Sequence, residues 1–438
     1  MTTELPVSVS AFREDPVDEV SRGRLATIGL DLRLIDDDGY AGWLQGVARG
    51  FLDGERSDEQ IATSRDRSGH RRLTGVFDAG SPLADVPVGT IASWAGRLSV
   101  PGGRDIPSCA ISAVTVSPTH RRRGVARAML EGELRAAHAA GLPAAMLTVS
   151  ESTLYGRYGF APAALAASWR IDVKRASWIG PQPGGRVDFV SREDARTLLE
   201  SIHARARLGV PGEADVSPGT WDQFTGTTPT SENPGATRAI RYADDDAEVR
   251  GVAVYTVREN DADVTRSSVT ITYLLAETDD AYAALWRFFV ELDLIGEVSA
   301  GALSVDEPLR WMLSDQRAAT VTVTDHQYVR VLDVKAALEA RVFGADGTIV
   351  LDVSDPLGFV AGRWLLEVAD GVGAVSALDG DAPDGAVEVS LGVEELSAVY
   401  LGGVSLATLA AAGRVKTPDA ATARVFGWHI APRLSFWY

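Results

Sequence analysis

An apolar run from Ala110 to Val116 stops at the turn pair Ser117-Pro118 and predicts a buried strand. Beyond Thr119-His120-Arg121-Arg122-Arg123-Gly124, the positions Ala126, Met129, Leu130, Leu134 and Ala137 recur at helical spacing, and Gly141 marks the stop of that helix. Ala144 to Ser150 then predicts a second buried strand. Upstream, helices are expected around Tyr40 to Leu52 and Asp58 to Arg65, with hairpin-like strands from Arg72 to Ser99. The composition of Ile179-Gly180-Pro181-Gln182-Pro183-Gly184-Gly185 marks a linker. After it the pattern predicts a helix over Arg192 to Leu208, an irregular stretch from Val210 to Gly235, and strands near Val249 to Val257 and Ser268 to Leu275. A helix from Asp280 to Leu292 follows. From about Arg330, strands around Thr348 to Val353, Gly362 to Val368 and Ala386 to Ser390 alternate with helices over Val334 to Arg341, Glu394 to Leu401 and Ser405 to Ala412. Gly371-Val372-Gly373-Ala374-Val375-Ser376 has no helix after it and is expected to form a hairpin, not a dinucleotide loop. The expected domains are 1–180, 181–329 and 330–438.

A strand that feeds an Arg/Gly loop at a helix N-terminus is a device for holding a pyrophosphate. Free backbone N–H groups and the helix dipole favour the anion, glycine lets it approach closely, and arginine adds charge-assisted hydrogen bonds. Arg-Arg-Arg-Gly alone reads more readily as a solvated basic patch; the flanking strand, turn and helix shift the balance toward the anion site. The junction Leu275-Ala276-Glu277-Thr278-Asp279-Asp280 lacks such a loop, and its acids cap the helix and repel a pyrophosphate, so the middle segment is not expected to bind one.

The spacing Arg121-x-x-Gly124-x-Ala126 resembles the acetyl-coenzyme A loop of the GNAT acetyltransferase superfamily. Within it, Val-x-Val-x-Pro-Thr-His-Arg-Arg-Arg-Gly, and Ser150-Glu151 shortly before Tyr155-Gly156-Arg157-Tyr158-Gly159-Phe160, resemble the enhanced-intracellular-survival (Eis) acetyltransferases. The likeness extends to Ala283-Ala284-Leu285-Trp286-Arg287, Val334 to Arg341, and Tyr400-Leu401-Gly402-Gly403 with Ser405 to Ala412. It implies an α/β (α+β) chain of two tandem GNAT-like domains, the second without the cofactor loop, ending in a sterol-carrier-protein-like domain. Acetyl-CoA is then the co-substrate, held by Val114, Thr115, Val116, Arg121, Arg122, Arg123, Gly124, Val125, Ala126, Arg127, Ser150 and Glu151.

By the same resemblance Tyr155 is the general acid and the C-terminal carboxylate of Tyr438 the general base. Asp53, Phe51 and Trp437 face the acceptor, and the assembly is a hexamer built as a trimer of dimers. A phenol with an ordinary pKa of about 10 is protonated at neutral pH and can donate to a departing thiolate. Tyr155 and Tyr158 are equally compatible with packing roles. A free α-carboxyl titrates near roughly 3.5, too acidic for an efficient base unless burial raises it. Phe436 and Trp437 suit such burial, though the same apolar tail is compatible with a final docked strand. Two features depart from the family: the last three residues are all aromatic, and Asp31 to Gly39 is unusually acidic.

Composition narrows the function further. At 438 residues and 45% apolar, the chain is expected to bury two or three cores. Its net charge of −18 disfavours nucleic acid and favours a cationic acceptor such as an aminoglycoside, a polyamine or a lysine side chain. The single cysteine, Cys109, precludes an internal disulfide and reads as a core residue. The N-terminus lacks the pattern of a signal peptide and no apolar run reaches membrane-spanning length, so a cytoplasmic protein is expected, with export lacking a signal left open. The six histidines show no metal-ligand spacing, and no metal is expected. His120 beside the arginines reads as a surface or capping residue. Two other functions fit the residues: a catalytically silent CoA-binding scaffold, and an apolar-ligand carrier acting through the third domain.

Overall fold

The computed structural model describes residues 5–416 and 422–438. The chain forms two compact units. One comprises residues up to Ala164 together with Gln327–Ile430 and Tyr438; the other comprises Leu165–His326 and Ala431–Trp437.

The first unit carries strands β1 (Leu30–Leu34), β2 (Arg72–Asp78), β3 (Gly89–Val100), β4 (Arg104–Val116) and β5 (Ala144–Thr148). Helices α1 (Val9–Glu14), α2 (Glu19–Ala26), α3 (Tyr40–Gly50), α4 (Asp58–Ser68) and α5 (Val125–Ala139) accompany them. Strands β1 to β4 are successively antiparallel, β4 runs parallel to β5, and β5 pairs antiparallel with Gln327–Val331. The β4–β5 ladder is short, covering only Ser108–Ile111 against Ala144–Leu147. Beyond Ile111 the strands part, and Ala113, with φ of +50°, lies at the irregularity in the β3–β4 ladder. A bulge of this kind bends a strand and re-aims its end. The core around α5 contains Val125, Met129, Leu134, Ile111 and Cys109. Burial raises the Cys109 thiol pKa above its ordinary value, as suits a core residue.

The apolar pattern did not reveal three features of this unit. α1 and α2 are short and weakly amphipathic, and their start signals are the caps Ser8 and Asp18. The acidic segment Asp31 to Gly39 begins within edge strand β1, whose alternation leaves Asp31 exposed. It ends in a turn where Gly39 N–H donates to Asp36 Oδ1 (2.8 Å). The third is a buried charge network. Glu133 accepts from Arg72 Nε (3.2 Å), Ser93 Oγ (2.7 Å) and Thr74 Oγ1 (3.3 Å), and Arg72 also donates to the carbonyls of Asp15 and Pro16. A buried pair is tolerated when its remaining hydrogen-bonding capacity is filled, as here.

Also in this unit, Gly347–Ser354, Gly362–Ala369, Val372–Ala377 and Val387–Gly392 form a separate sheet. Ile349, Leu351, Leu366, Val375 and Val389 are buried, whereas Asp352, Glu367, Ser376, Glu388 and Ser390 are exposed. This alternation marks a sheet with one wet face. The Gly371 segment is the expected hairpin: Asp370 and Gly371 both have positive φ, as a tight type I′ turn requires.

In the second unit, Arg186–Val190, Thr237–Ala243, Val249–Arg258 and Ser267–Ala276 are successively antiparallel. Ser267–Ile271 pairs in parallel with Ile295–Ala300. Helix Asp279–Val290 buries Leu285, Trp286 and Phe289. The stretch from Val210 to Gly235, expected to be irregular, contains a helix, Thr220–Thr225, closed by Gly226 at φ +67°. Its Trp221 packs edge-on against Tyr273, so tertiary contact supports what local propensity does not.

Candidate active site

The ten residues from Val116 to Val125 join β4 to α5 and form the candidate anion cradle. β4 ends at Val116, a single 3₁₀ turn covers Pro118–His120, and α5 starts at Val125. Arg122 (φ +63°) and Gly124 (φ +80°) are both left-handed. That conformation costs a non-glycine residue roughly 1–2 kcal/mol, so Arg122 holds a strained position within the loop. Gly124 is the N-cap of α5 and supplies no side-chain cap, and a Cβ built on it would meet open space. The first N–H groups of α5 are therefore left to solvent or a ligand. Arg121, Arg122 and Arg123 are exposed, with no hydrogen bond or ion pair among the described residues. The second unit provides the contrast: helix Asp279–Val290 is capped by Thr278 Oγ1, which accepts from Ala281 N–H (3.2 Å), and opens with two acids.

Two of the named neighbours behave differently from the loop arginines. Arg127 Nε donates to Glu131 (2.6 Å) one turn along α5, so its charge is already paired. His120 is buried, not superficial: its ring bridges Thr119 Oγ1 (2.8 Å) and Asp78 (2.9 Å) and ties the loop to the end of β2. The His120 contact holds the Asp78 carboxyl below its usual range.

β5 leads to Ser150 and Glu151, both exposed, and then to two 3₁₀ turns, Ser152–Leu154 and Gly156–Tyr158. Tyr155 stands between these turns, buried, with its ring edge-on to Phe160 at 6.3 Å. Burial, then the Glu151 charge, then Tyr158 push its phenol up to about 12. At neutral pH it is thus a proton donor. The segment is clamped from behind. Arg330 Nε donates to Tyr158 O (2.8 Å), while its Nη2 grips both Asp355 oxygens (2.8 and 2.9 Å). Gly159, at φ +85°, is required here because a Cβ would lie 2.8 Å from Val393 and 3.2 Å from Arg330.

Tyr438 lies in the same unit. Thr148, the last residue of β5, donates its hydroxyl to Tyr438 O (3.3 Å). The Tyr438 ring meets Trp94 of β3 edge-on at 5.4 Å. Trp94 in turn carries the Arg71 guanidinium over its face (4.4 Å) and His70 at its edge (5.7 Å). Burial, reinforced by the Arg71 charge, pushes His70 down to about 4, leaving a neutral ring. The tail is irregular, not a final strand.

Of the residues named for the acceptor, Phe51 is 48% exposed and Trp437 56% exposed. Asp53 is exposed and bound to Arg56 (2.6 Å). Gly50, which ends α3, rests against β4: a Cβ there would fall 2.2 Å from Thr115 Oγ1. This close approach sets Phe51 beside the Val114-Thr115-Val116 strand end. Thr148, Trp94, Arg330 and Asp355 were not legible from local pattern, because none belongs to a motif and each partner is far away in sequence.

Comparison with known proteins agrees with this architecture. Residues 31–163 and 212–331 each match a model of an acetyltransferase (GNAT) domain, and residues 334–435 match a sterol carrier protein domain. An uncharacterized N-acetyltransferase of Streptomyces avermitilis is 36% identical over 416 residues, covering 90% of this chain and 94% of that protein. The N-acetyltransferase Eis of Mycobacterium tuberculosis H37Ra is 33% identical over 356 residues, covering 78% of this chain and 83% of that one. The crystal structure of Eis1 from Mycobacterium abscessus superposes with a TM-score of 0.78 at 25% identity, covering 93% of this chain and all of that one. Fold and site together define a GNAT-superfamily enzyme, an acetyl-CoA-dependent N-acetyltransferase. Within that superfamily the chain belongs to the Eis family.

Proposed function

We propose that this enzyme acetylates a primary amine of a cationic acceptor, an aminoglycoside, a polyamine or a lysine side chain, by direct attack on acetyl-CoA. The observation that carries the reading is the uncapped N-terminus of α5, set behind a strand that parts from its parallel neighbour. Arg121, Arg122, Arg123 and the N–H groups after Gly124 suit the pyrophosphate of the co-substrate. When bound, the co-substrate supplies an activated acetyl thioester. Backbone N–H groups of Val114, Thr115 and Val116, where β4 has left β5, are suited to polarise its carbonyl. Tyr155 holds the proton destined for the thiolate, and the Tyr438 carboxylate accepts the proton of the ammonium directly or through water. Asp53 and the net charge of −18 favour a cation over an anion as the approaching acceptor. Domains bounded at 1–180, 181–329 and 330–438, a cytoplasmic setting and a hexameric assembly belong to the same reading.

The exposed face of the sheet at residues 347–392 is polar, with Asp352, Glu367 and Glu388 outward, which favours this reading over an apolar-ligand carrier. CoA release from acetyl-CoA, measured with a panel of aminoglycosides, polyamines and lysine peptides, tests the acceptor class. Turnover with at least one cationic amine, and none with neutral hydroxyl acceptors, is expected. Release that does not respond to any amine sinks the proposal.

Gly124→Val gives a second test of the cradle. A β-branched residue at φ +80° is strained by about 1–2 kcal/mol or more, and it places bulk in the open space beside the loop that a ligand would use. The expected result is a Kd for acetyl-CoA raised about tenfold or more by calorimetry, with Tm lowered by only a few degrees. Unchanged affinity in the folded variant would remove the loop from cofactor binding.

A further inference from the structure

The second unit has no anion cradle, yet it contains a densely built polar site, and that site is filled by the chain's own tail. Glu213 is buried, as are Leu434 and Phe436. One Glu213 oxygen accepts from the Arg433 guanidinium (3.1 Å). The other accepts from the hydroxyl of Ser435 (3.0 Å), with the Ser435 N–H farther off at 3.4 Å. The Tyr273 hydroxyl donates to Ser435 Oγ (2.7 Å), and Arg433 N–H donates to Pro211 O (2.8 Å). His326 Nε2–H donates to the Phe436 carbonyl (3.0 Å), and its ring meets Trp437 at 4.8 Å. His203 stands edge-on to Phe436 at 6.2 Å.

A buried carboxylate is costly unless paired and hydrogen-bonded. Among the described residues, the hydrogen bonds to the Glu213 carboxylate within 3.5 Å come from the tail, and the His203 ring stands 3.9 Å from it as a further partner. The interaction is therefore selective for an Arg-x-Ser segment threaded in one register. His326 directly precedes Gln327, the ladder partner of Thr148, and Thr148 is the residue that holds Tyr438 O.

We propose that Glu213, Tyr273 and His326 are positioning residues for acetyl transfer, forming a latch that fixes residues 433–436 and so sets the reach of the Tyr438 carboxylate. The second GNAT-like segment, without its own cofactor loop, serves as the receptor for the C-terminus. This rests on the reading of that carboxylate as the base.

The test uses the full-length protein and two readouts. Carboxypeptidase A removes aromatic C-terminal residues, so release of Tyr438, Trp437 and Phe436 followed by mass spectrometry reports how firmly the tail is held. Steady-state kinetics report kcat and the KM for acetyl-CoA. Ser435→Ala removes one hydroxyl and leaves the ion pair, so it is expected to fold, speed trimming roughly 2- to 10-fold and lower kcat by a similar factor. Glu213→Gln removes the charge facing Arg433 and is expected to do both by about 100-fold, with the KM for acetyl-CoA within about 2-fold. Trimming and kcat unchanged in both variants would overturn the latch. Faster trimming with unchanged kcat would overturn the positioning role; if native protein trimmed of Tyr438 also stays active, the failure lies in the base assignment. A dead trimmed protein beside fully active variants would place the failure in the latch.

Discussion

Deleting Tyr438, or extending the chain by a few residues beyond it, is expected to lower kcat by roughly 10²–10⁴-fold while leaving acetyl-CoA binding intact. That range is what a positioned general base contributes, and in the proposed mechanism the chemistry depends on the position of one carboxylate. In the native chain its residue is fixed by a side-chain contact at each end: the Thr148 hydroxyl on Tyr438 O, and Trp94 against the ring. Deletion moves the carboxylate back by one residue, a distance of about 3.8 Å between Cα atoms, whereas near-attack geometry tolerates errors well under that. Extension leaves the ring in place but converts the charged carboxylate into an amide, which cannot accept a proton near neutral pH. The two variants fail for different reasons, so agreement between them isolates the carboxylate itself. The measurements are CoA release under saturating acetyl-CoA and calorimetric affinity for the same molecule. Full turnover in both variants would remove Tyr438 from the mechanism.

Tyr155→Phe is the second large effect, with kcat expected to fall by about 10²–10³-fold and little change in Tm. The ring stays in its place against Phe160, so packing is conserved and only the phenolic proton is lost. The pH dependence has a definite sign. A general acid is active below its pKa, and Tyr155 is pushed up to about 12, first by burial and then by Glu151 and Tyr158. Native kcat is therefore expected to show no alkaline fall from this group until the pH approaches 12, two units above an ordinary tyrosine. An alkaline limb near pH 8 that disappears in Tyr155→Phe would contradict the environment described for the phenol. Glu151→Gln removes the second-largest cause and is expected to lower the phenol's pKa slightly, visible by ultraviolet titration of the difference between native and Tyr155→Phe proteins.

The proposed latch and the Tyr155 turn are supported from different parts of the chain. The Tyr155 turn leans on Arg330 and Asp355, a pair with no exposed side-chain surface. A buried ion pair of this kind fixes geometry more than it adds stability, because desolvation offsets much of the Coulomb attraction. The outcome is a segment held from behind, with the Tyr155 side chain contributing none of the hydrogen bonds that hold it among the described residues. Such separation lets Tyr155 carry a raised pKa without disturbing the fold.

Much of this organisation was legible in residue pattern alone. The strand, turn and helix from Ala110 to Gly141 follow from local periodicity and stop signals, whereas the left-handed backbone at Arg122 and Gly124 is seen only in the structure. The absence of a cradle at Thr278-Asp279-Asp280 follows from capping chemistry, which is also local. Short elements were less visible: α1, α2 and β1 lack enough periodic positions to stand out, and helix Thr220–Thr225 depends on Trp221 packing against Tyr273.

The parts that only tertiary structure decided are contacts between residues with no pattern linking them. Thr148 and Tyr438 are 290 positions apart, Arg330 and Tyr158 are 172 apart, and Ser435 and Glu213 are 222 apart. Nothing in the neighbourhood of a lone threonine or glutamate announces a distant partner, because the energy of such a pair arises from burial and geometry that exist only after folding. Local sequence determines which backbone groups are left open at the start of α5; the folded chain decides which distant side chains hold the Tyr155 segment and the C-terminal residue.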